Sequence, residues 1–218
     1  MRKGTGTVLA TVALGAAALA QPAAATAATE LLQLGSTGPK VVALHERLGV
    51  LSYLPVGSDA PRFTARTRHA VIAFQMHERL GVDGVVGPET RRALSAAARP
   101  RPLLSGPGRR IEVWRGRQLA VLVRDGRVAR TVHVSTGVAG YTTPAGRFSV
   151  FRREKLSWSI PYSVWLPWAA YFNGGIAFHG HAQVPTYPAS HGCVRVPTPF
   201  ARAVYRFATL GTRVDVVA

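Results

Sequence analysis

Cys193 is the only cysteine in the 218-residue chain, and it stands in the segment Ser190-His191-Gly192-Cys193-Val194-Arg195. A thiolate attacks acyl carbon well, and an adjacent imidazole lowers a thiol pKa from about 8.5 towards neutrality. A lone cysteine is often a buried structural thiol. Flanked by Ser-His-Gly and Arg, this one reads instead as a nucleophile. The base must be a histidine, because no Asp or Glu occurs between Glu154 and Asp215. His179, His181 and His191 are the histidines near the thiol. On a strand His191 would share a face with Cys193, unless Gly192 turns the chain between them. His179 follows the apolar run Ile176-Ala177-Phe178, which places it at a sheet edge. Any group that orients it is then a backbone carbonyl or a neutral side chain; Asp215 and Glu112 reach it only through tertiary folding. Gly192 permits close approach of substrate, so the Gly192 and Cys193 N–H groups are expected to form an oxyanion hole. Arg195 is suited to a two-pronged contact with a carboxylate, or is one surface arginine among many.

From Arg110 onward the hydrophobic period is strand-like. Ile111 and Val113 alternate, residues 119–123 are apolar, and Arg124-Asp125-Gly126-Arg127 reads as a hairpin turn returning over residues 128–135. Residues 148–151, 176–178 and 214–217 are further strands. Residues 199–210 form the one convincing helix of this half, with Pro199 at its start and Gly211 beyond its end. Trp158, Trp165, Trp168, Tyr162 and Tyr171 line a groove or lid, or are core aromatics.

The first half has the helical period. Val41, Leu44 and Leu48 lie on one face after Gly38-Pro39, and Ala70, Val71 and Phe74 on another after Thr64, an expected N-cap. Gly87-Pro88-Glu89-Thr90 opens a third short helix ending near Leu94. The fold expected is therefore two domains: a small all-α three-helix bundle over residues 29–98, then a mostly β, sandwich-like catalytic domain over 110–218 with a C-terminal helix and strand. Residues 99–109, rich in Pro, Gly and Arg, form the linker between them. Residues 1–28 read as a signal peptide: Arg2 and Lys3, an apolar stretch over 8–20, then small-residue sites such as Ala25-Thr26-Ala27. The stretch is short for a membrane span of about 20 residues, so cleavage and export to the cell wall are expected, with membrane attachment only through an uncleaved segment. One cysteine allows no internal disulfide, so packing must supply stability.

The chain carries 27 basic and 10 acidic residues, a formal net charge of +17. For an exported protein an anionic envelope is a better partner than nucleic acid. Anionic wall polymers are expected partners on that ground, although arginine excess also follows from codon composition.

Residues 31–95 resemble the three-helix peptidoglycan-binding domain. The pieces that carry this are Leu34-Gly35-Ser36-Thr37-Gly38, residues 41–48, Phe63-Thr64 through Gln75, and Gly81-Val82-Asp83-Gly84-Val85-Val86-Gly87-Pro88. His45 stands where the pattern usually has Gln, and an insert occupies residues 54–62. Residues 110–218 resemble the YkuD-type L,D-transpeptidase catalytic domain. His179-Gly180 followed by Ser190-His191-Gly192-Cys193-Val194-Arg195 is the carrying motif. Ser135-Thr136-Gly137, Thr142-Thr143-Pro144-Ala145-Gly146-Arg147-Phe148, Asn173-Gly174-Gly175 and Gly211-Thr212-Arg213-Val214 support it.

This resemblance implies that Cys193 attacks the carbonyl between the L-centre of diaminopimelate and the terminal D-Ala of a tetrapeptide stem. D-Ala leaves, and an amine of a neighbouring stem resolves the thioester as a 3→3 cross-link. His179 is then the base, oriented by the Gly180 carbonyl, and His191 supports the site. Ser190, Arg195, Tyr187 and Asn173 are the expected substrate-binding residues. Peptidoglycan stems and glycan are the implied partners, a carbapenem is an implied covalent inhibitor of Cys193, and no cofactor or metal is called for. An L,D-carboxypeptidase would use the same thioester and water. Two readings of other classes stand beside these. One is a zinc-dependent wall peptidase built on His179-x-His181 and His191-x-Cys193; the other is a non-enzymatic wall-binding protein.

Overall fold

A computed structural model describes Met1, Gly4 and residues 30–55, 57 and 61–218. The signal segment expected over residues 1–28 thus lies, but for two residues, outside the described residues.

Three helices come first. In α1 (Pro39–Val50) Val41, Leu44 and Leu48 are buried at three- and four-residue steps. In α2 (Ala65–Glu78) Thr64 is the N-cap: its hydroxyl accepts from the Thr67 N–H while the Thr67 hydroxyl accepts from the Thr64 N–H. The face that α2 buries includes Ala70, Val71, Ala73 and Phe74. Pro88 starts α3 (Pro88–Ala96). Buried Gln75 fastens the intervening turn, donating to Asp83, the Val85 carbonyl and Thr90 and accepting from the Gly84 N–H. His45, the departure from the family pattern, is a core residue whose Nε2 meets the Thr67 hydroxyl at 2.9 Å.

The rest of the chain builds two sheets. The first has the order β3-β2-β1-β9-β4, from β1 (Arg109–Trp114), β2 (Leu119–Arg124), β3 (Arg127–His133), β4 (Gly146–Ser149) and β9 (Arg213–Val217). Asp125 and Gly126 have φ of 48° and 74°, as a two-residue hairpin with the primed turn requires. β1 and β9 pair in parallel, and residues 119–123 are buried on both faces, which is why they read as a continuous apolar run. The second sheet has the order β5-β6-β7-β8, from β5 (Arg152–Ser159), β6 (Val164–Asn173), β7 (Ile176–His181) and β8 (Val194–Pro197). The helix α4 (Thr198–Phe207) follows β8 and packs Phe200, Ala201 and Val204 inward. A Cβ at Gly180 would stand 2.9 Å from the Ala201 Cβ, so glycine lets α4 lie against β7.

The helical segment is seated on the first sheet. The Thr131 N–H donates to the Ser52 carbonyl at 2.8 Å, and His69 of α2 meets His133 of β3 at 2.7 Å between ring nitrogens. The segment over residues 99–109 has no helix before β1 begins at Arg109, and it is pinned. Buried Glu112 accepts from the Leu103 and Leu104 N–H groups and from Trp114. Buried Arg110 pairs with Glu112 at 2.9 Å and donates to the Gly106 and Leu104 carbonyls. Among the described residues no helix is long and apolar enough to cross a membrane.

Candidate active site

Cys193 ends a turn rather than lying on a strand. Gly192 has φ of +109°, in the region that favours glycine, so the chain reverses between His191 and Cys193. The turn is closed by Ser190, whose Oγ donates to the Cys193 carbonyl and accepts from the Gly192 N–H at 3.2 Å. That contact engages one of the two expected oxyanion donors and leaves the Cys193 N–H as the other.

A second segment locks this turn. The Ser135 and Arg195 backbones exchange two hydrogen bonds, at 2.9 and 3.1 Å, and the Thr136 carbonyl accepts from the Ser190 N–H. Buried Thr143 bridges the two pieces: its hydroxyl accepts from the Gly137 N–H at 2.9 Å and donates to the Gly192 carbonyl at 2.7 Å. A Cβ at Gly137 would fall 1.9 Å from the Tyr141 carbonyl oxygen, so only glycine fits there. The motif residues Ser135, Thr136, Gly137 and Thr143 are thus the frame of the Cys193 turn.

His179, the expected base, comes from the neighbouring strand. β7 and β8 are parallel with Phe178 opposite Val194 and His179 opposite Arg195. That register sets Ala177 beside Cys193 and turns Cys193, His179 and Arg195 to one face. His179 is buried, and its Nδ1 lies 3.0 Å from the Gly180 carbonyl. A carbonyl only accepts, so Nδ1 carries the hydrogen and Nε2 is the free basic nitrogen. Neither distant carboxylate takes part: Asp215 is paired with Arg147 and Arg213, and Glu112 with Arg110. His181 Nδ1 faces the Gln183 backbone, 2.5 Å from its carbonyl oxygen and 3.1 Å from its nitrogen.

Electrostatics corrects one expectation. Burial pushes the Cys193 thiol up rather than down, against smaller lowering contacts from the Ala177 backbone and Arg195. Burial likewise holds His179 down to about 4. Both effects disfavour charge, so the resting pair is neutral thiol and neutral imidazole.

The three groups open on a cavity of about 740 Å³. Its floor includes Tyr171, and the β5–β6 hairpin forms a wall with Trp158, Tyr162 and Trp165. These are half-exposed aromatics, so the hairpin lines a groove. Trp168 faces the other way, against Tyr205 of α4. His191 is exposed on the rim, its ring between Tyr141 and Tyr162 at centroid distances of 4.8 and 4.7 Å. Tyr187 and Asn173 are not among the lining residues. Tyr187 is exposed, and its carbonyl accepts from Ser135 Oγ of the frame at 2.7 Å. Asn173 ends β6 at the tight Gly174-Gly175 corner, where it faces Ile176. Among the described residues no group of three His, Cys, Asp or Glu side chains is arranged to hold a metal ion.

Comparison with known proteins agrees with this geometry. Residues 108–216 match the L,D-transpeptidase catalytic domain, and residues 37–94 a peptidoglycan binding domain. An L,D-transpeptidase from Xylanimonas cellulosilytica is 38% identical, superposes with a TM-score of 0.79, and is matched over 87% of this chain and 98% of its own. The chain belongs to the L,D-transpeptidase family. A further L,D-transpeptidase, from Stackebrandtia nassauensis, is 26% identical with a TM-score of 0.53, over 85% of this chain and 94% of that one. No curated protein matches the chain. In this L,D-transpeptidase, then, the Cys193 turn and the His179 strand line one cavity, and the frame holds the turn from behind. Thr143 and Tyr141 are site residues that the sequence did not single out, whereas Tyr162 was among its expected groove or lid aromatics. Thr143 lies within a quoted motif, but only folding reveals its contact with Gly192.

Proposed function

We propose that this L,D-transpeptidase acts outside the cytoplasm on peptidoglycan and forms 3→3 cross-links through a thioester on Cys193, with release of D-Ala. One observation carries the reading. His179, its Nδ1–H held by the Gly180 carbonyl, shares a sheet face and a cavity with Cys193 and Arg195. His179 Nε2 takes the thiol proton as Sγ bonds to the carbonyl carbon of the diaminopimelate–D-Ala amide. The developing oxyanion is met by the Cys193 N–H. The intermediate collapses as the C–N bond breaks, and the imidazolium gives its proton to the departing D-Ala amine. An amine of a second stem, deprotonated by His179, then attacks the thioester. The new amide forms, and the sulfur leaves and regains its proton. Arg195 holds the D-Ala carboxylate. Ser190 keeps the turn closed, and His191 with its two tyrosines forms the rim. A carbapenem acylates the same sulfur.

The test is mass spectrometry of products from a purified disaccharide-tetrapeptide. Dimers formed with loss of one D-Ala per link are expected from the full chain. Cys193→Ala should lose at least about a thousandfold of that activity while keeping its fold. Tripeptide monomers alone would make the enzyme an L,D-carboxypeptidase. Cross-linking retained by Cys193→Ala, or activity abolished by a chelator and restored by zinc, would refute the thioester.

A further inference from the structure

We propose that Arg152 binds a second carboxylate of the acyl donor, on the part of the peptide that stays bound as the thioester; this rests on the transpeptidase reading above. The register of the second sheet supplies the geometry. Arg152 pairs with Tyr171, Tyr171 pairs with Ala177, and Ala177 lies beside Cys193. Arg152, Tyr171 and Ala177 form one row across β5, β6 and β7 that the Cys193 turn extends just before β8, and cross-strand partners project to the same face. At about 4.8 Å per strand the Arg152 Cα stands about 14 Å from that of Cys193. Its guanidinium is folded one strand closer, 3.8 Å from the centre of the Tyr171 ring. Arg195 occupies the adjacent row, opposite His179. Two guanidinium groups therefore stand on the cavity wall, one close to the sulfur and one well away from it.

The cavity is otherwise without fixed charge partners. Arg152 and Arg195 line it, and no carboxylate does among the described residues. Among the described residues Arg152 has one ion-pair neighbour, Glu154, at 3.5 Å and itself partly exposed, which is too loose a contact to occupy the guanidinium. The Tyr171 platform is rigid: the ring is buried and its hydroxyl is fixed to Ser157 Oγ at 2.8 Å. A guanidinium stacked on a ring keeps its N–H edge in plane and open to a bidentate carboxylate. Arg195 suffices for the carboxylate of the departing D-Ala. A second cation at this distance fits a carboxylate further along the donor. A tetrapeptide stem offers two: the distal carboxylate of diaminopimelate, and the α-carboxylate of the γ-linked glutamate before it.

The experiment measures kcat/KM of the full chain, Arg152→Lys and Arg152→Gln with three donors. One donor is unmodified, one is amidated at the distal diaminopimelate carboxylate, and one is amidated at the glutamate carboxylate. One amidation should lower wild-type kcat/KM about tenfold, the scale of a charged hydrogen bond. The ratio should shrink to about threefold in Arg152→Lys and to near one in Arg152→Gln. Which amide carries the loss identifies the carboxylate. A wild-type enzyme indifferent to both amidations overturns the proposal and leaves the transpeptidase reading standing. So does Arg152→Gln lowering all three donors by one factor, because that is a structural effect through Tyr171. Failure of the wild type to turn over even the unmodified donor overturns both.

Discussion

The proton on His179 decides what Cys193 does at rest. With the thiol pushed up and the imidazole held to about 4, chiefly by burial, neither group is charged at neutral pH. In the proposed mechanism the sulfur therefore becomes nucleophilic only as it transfers its proton during attack. The active form needs neutral His179, and that form is present above about 4 and lost as the pH falls through it. We expect kcat/KM to be level between about pH 5 and 8 and to fall below, measured on one donor in constant ionic strength. An acid limb near 6.5 would mean an exposed, ordinary base. Thr143 carries a second prediction. Thr143→Val keeps the shape but leaves the Gly137 N–H and the Gly192 carbonyl unpaired, at about 1–3 kcal/mol for each buried group. Lower thermal stability should therefore accompany slower alkylation of Cys193 by iodoacetamide, and wild-type values of both would refute the bridging role. Cys193, His179 and the Gly180 carbonyl were legible in the chain because the chemistry names them and the motif spaces them. The protonation of the pair was not, since it depends on burial in the folded cavity, which no local pattern sets.

Elements position these groups more tightly than the residues' own neighbours do. The β7–β8 pair sets Cys193 and His179 on one face, and α4 braces its far side through the gap left by Gly180. Gly180→Ala forces a methyl against Ala201 and towards the Pro167 carbonyl, 3.3 Å away. We expect a loss of about 1–3 kcal/mol in denaturant unfolding, with a drop in kcat because the His179 strand must shift. Unchanged values of both would mean α4 is free to move. The helices, the hairpin at Asp125-Gly126 and the strands β1, β2, β7 and β9 were legible, since each has a clear period, cap or turn signal. β5, β6 and β8 were not. β5 mixes Arg, Glu, Lys and Trp without clean alternation, because one of its faces lines the cavity wall. β8 has four residues and reads as the tail of the nucleophile motif.

At the scale of the whole molecule the helical segment and the β segment share buried surface, and their contact carries titratable groups. His69 is held to about 4 and His133 to about 3, by burial first and then by neighbouring charge. Both folded values lie below the unfolded 6.5. The neutral pair therefore contributes stability that is fully present above about 6.5 and is lost as the pH falls towards the folded values. Each excluded proton steepens that loss by up to about 1.4 kcal/mol per pH unit. A His69→Leu, His133→Leu double variant should show a shallower fall in unfolding free energy between about pH 6 and 4, and an unchanged slope would place the titration elsewhere. The junction was not legible in the chain, because the two histidines are 64 positions apart and belong to different kinds of element. Every step of the proposed chemistry nevertheless passes through the Cys193 sulfur. The most direct test is intact-protein mass spectrometry of the full chain, quenched in acid during turnover of a tetrapeptide donor. The mass should rise by that of the donor less free D-Ala, and peptide mapping should place the adduct on Cys193. A chain that releases D-Ala while its mass never changes, or that carries the adduct on another residue, would contradict the claim.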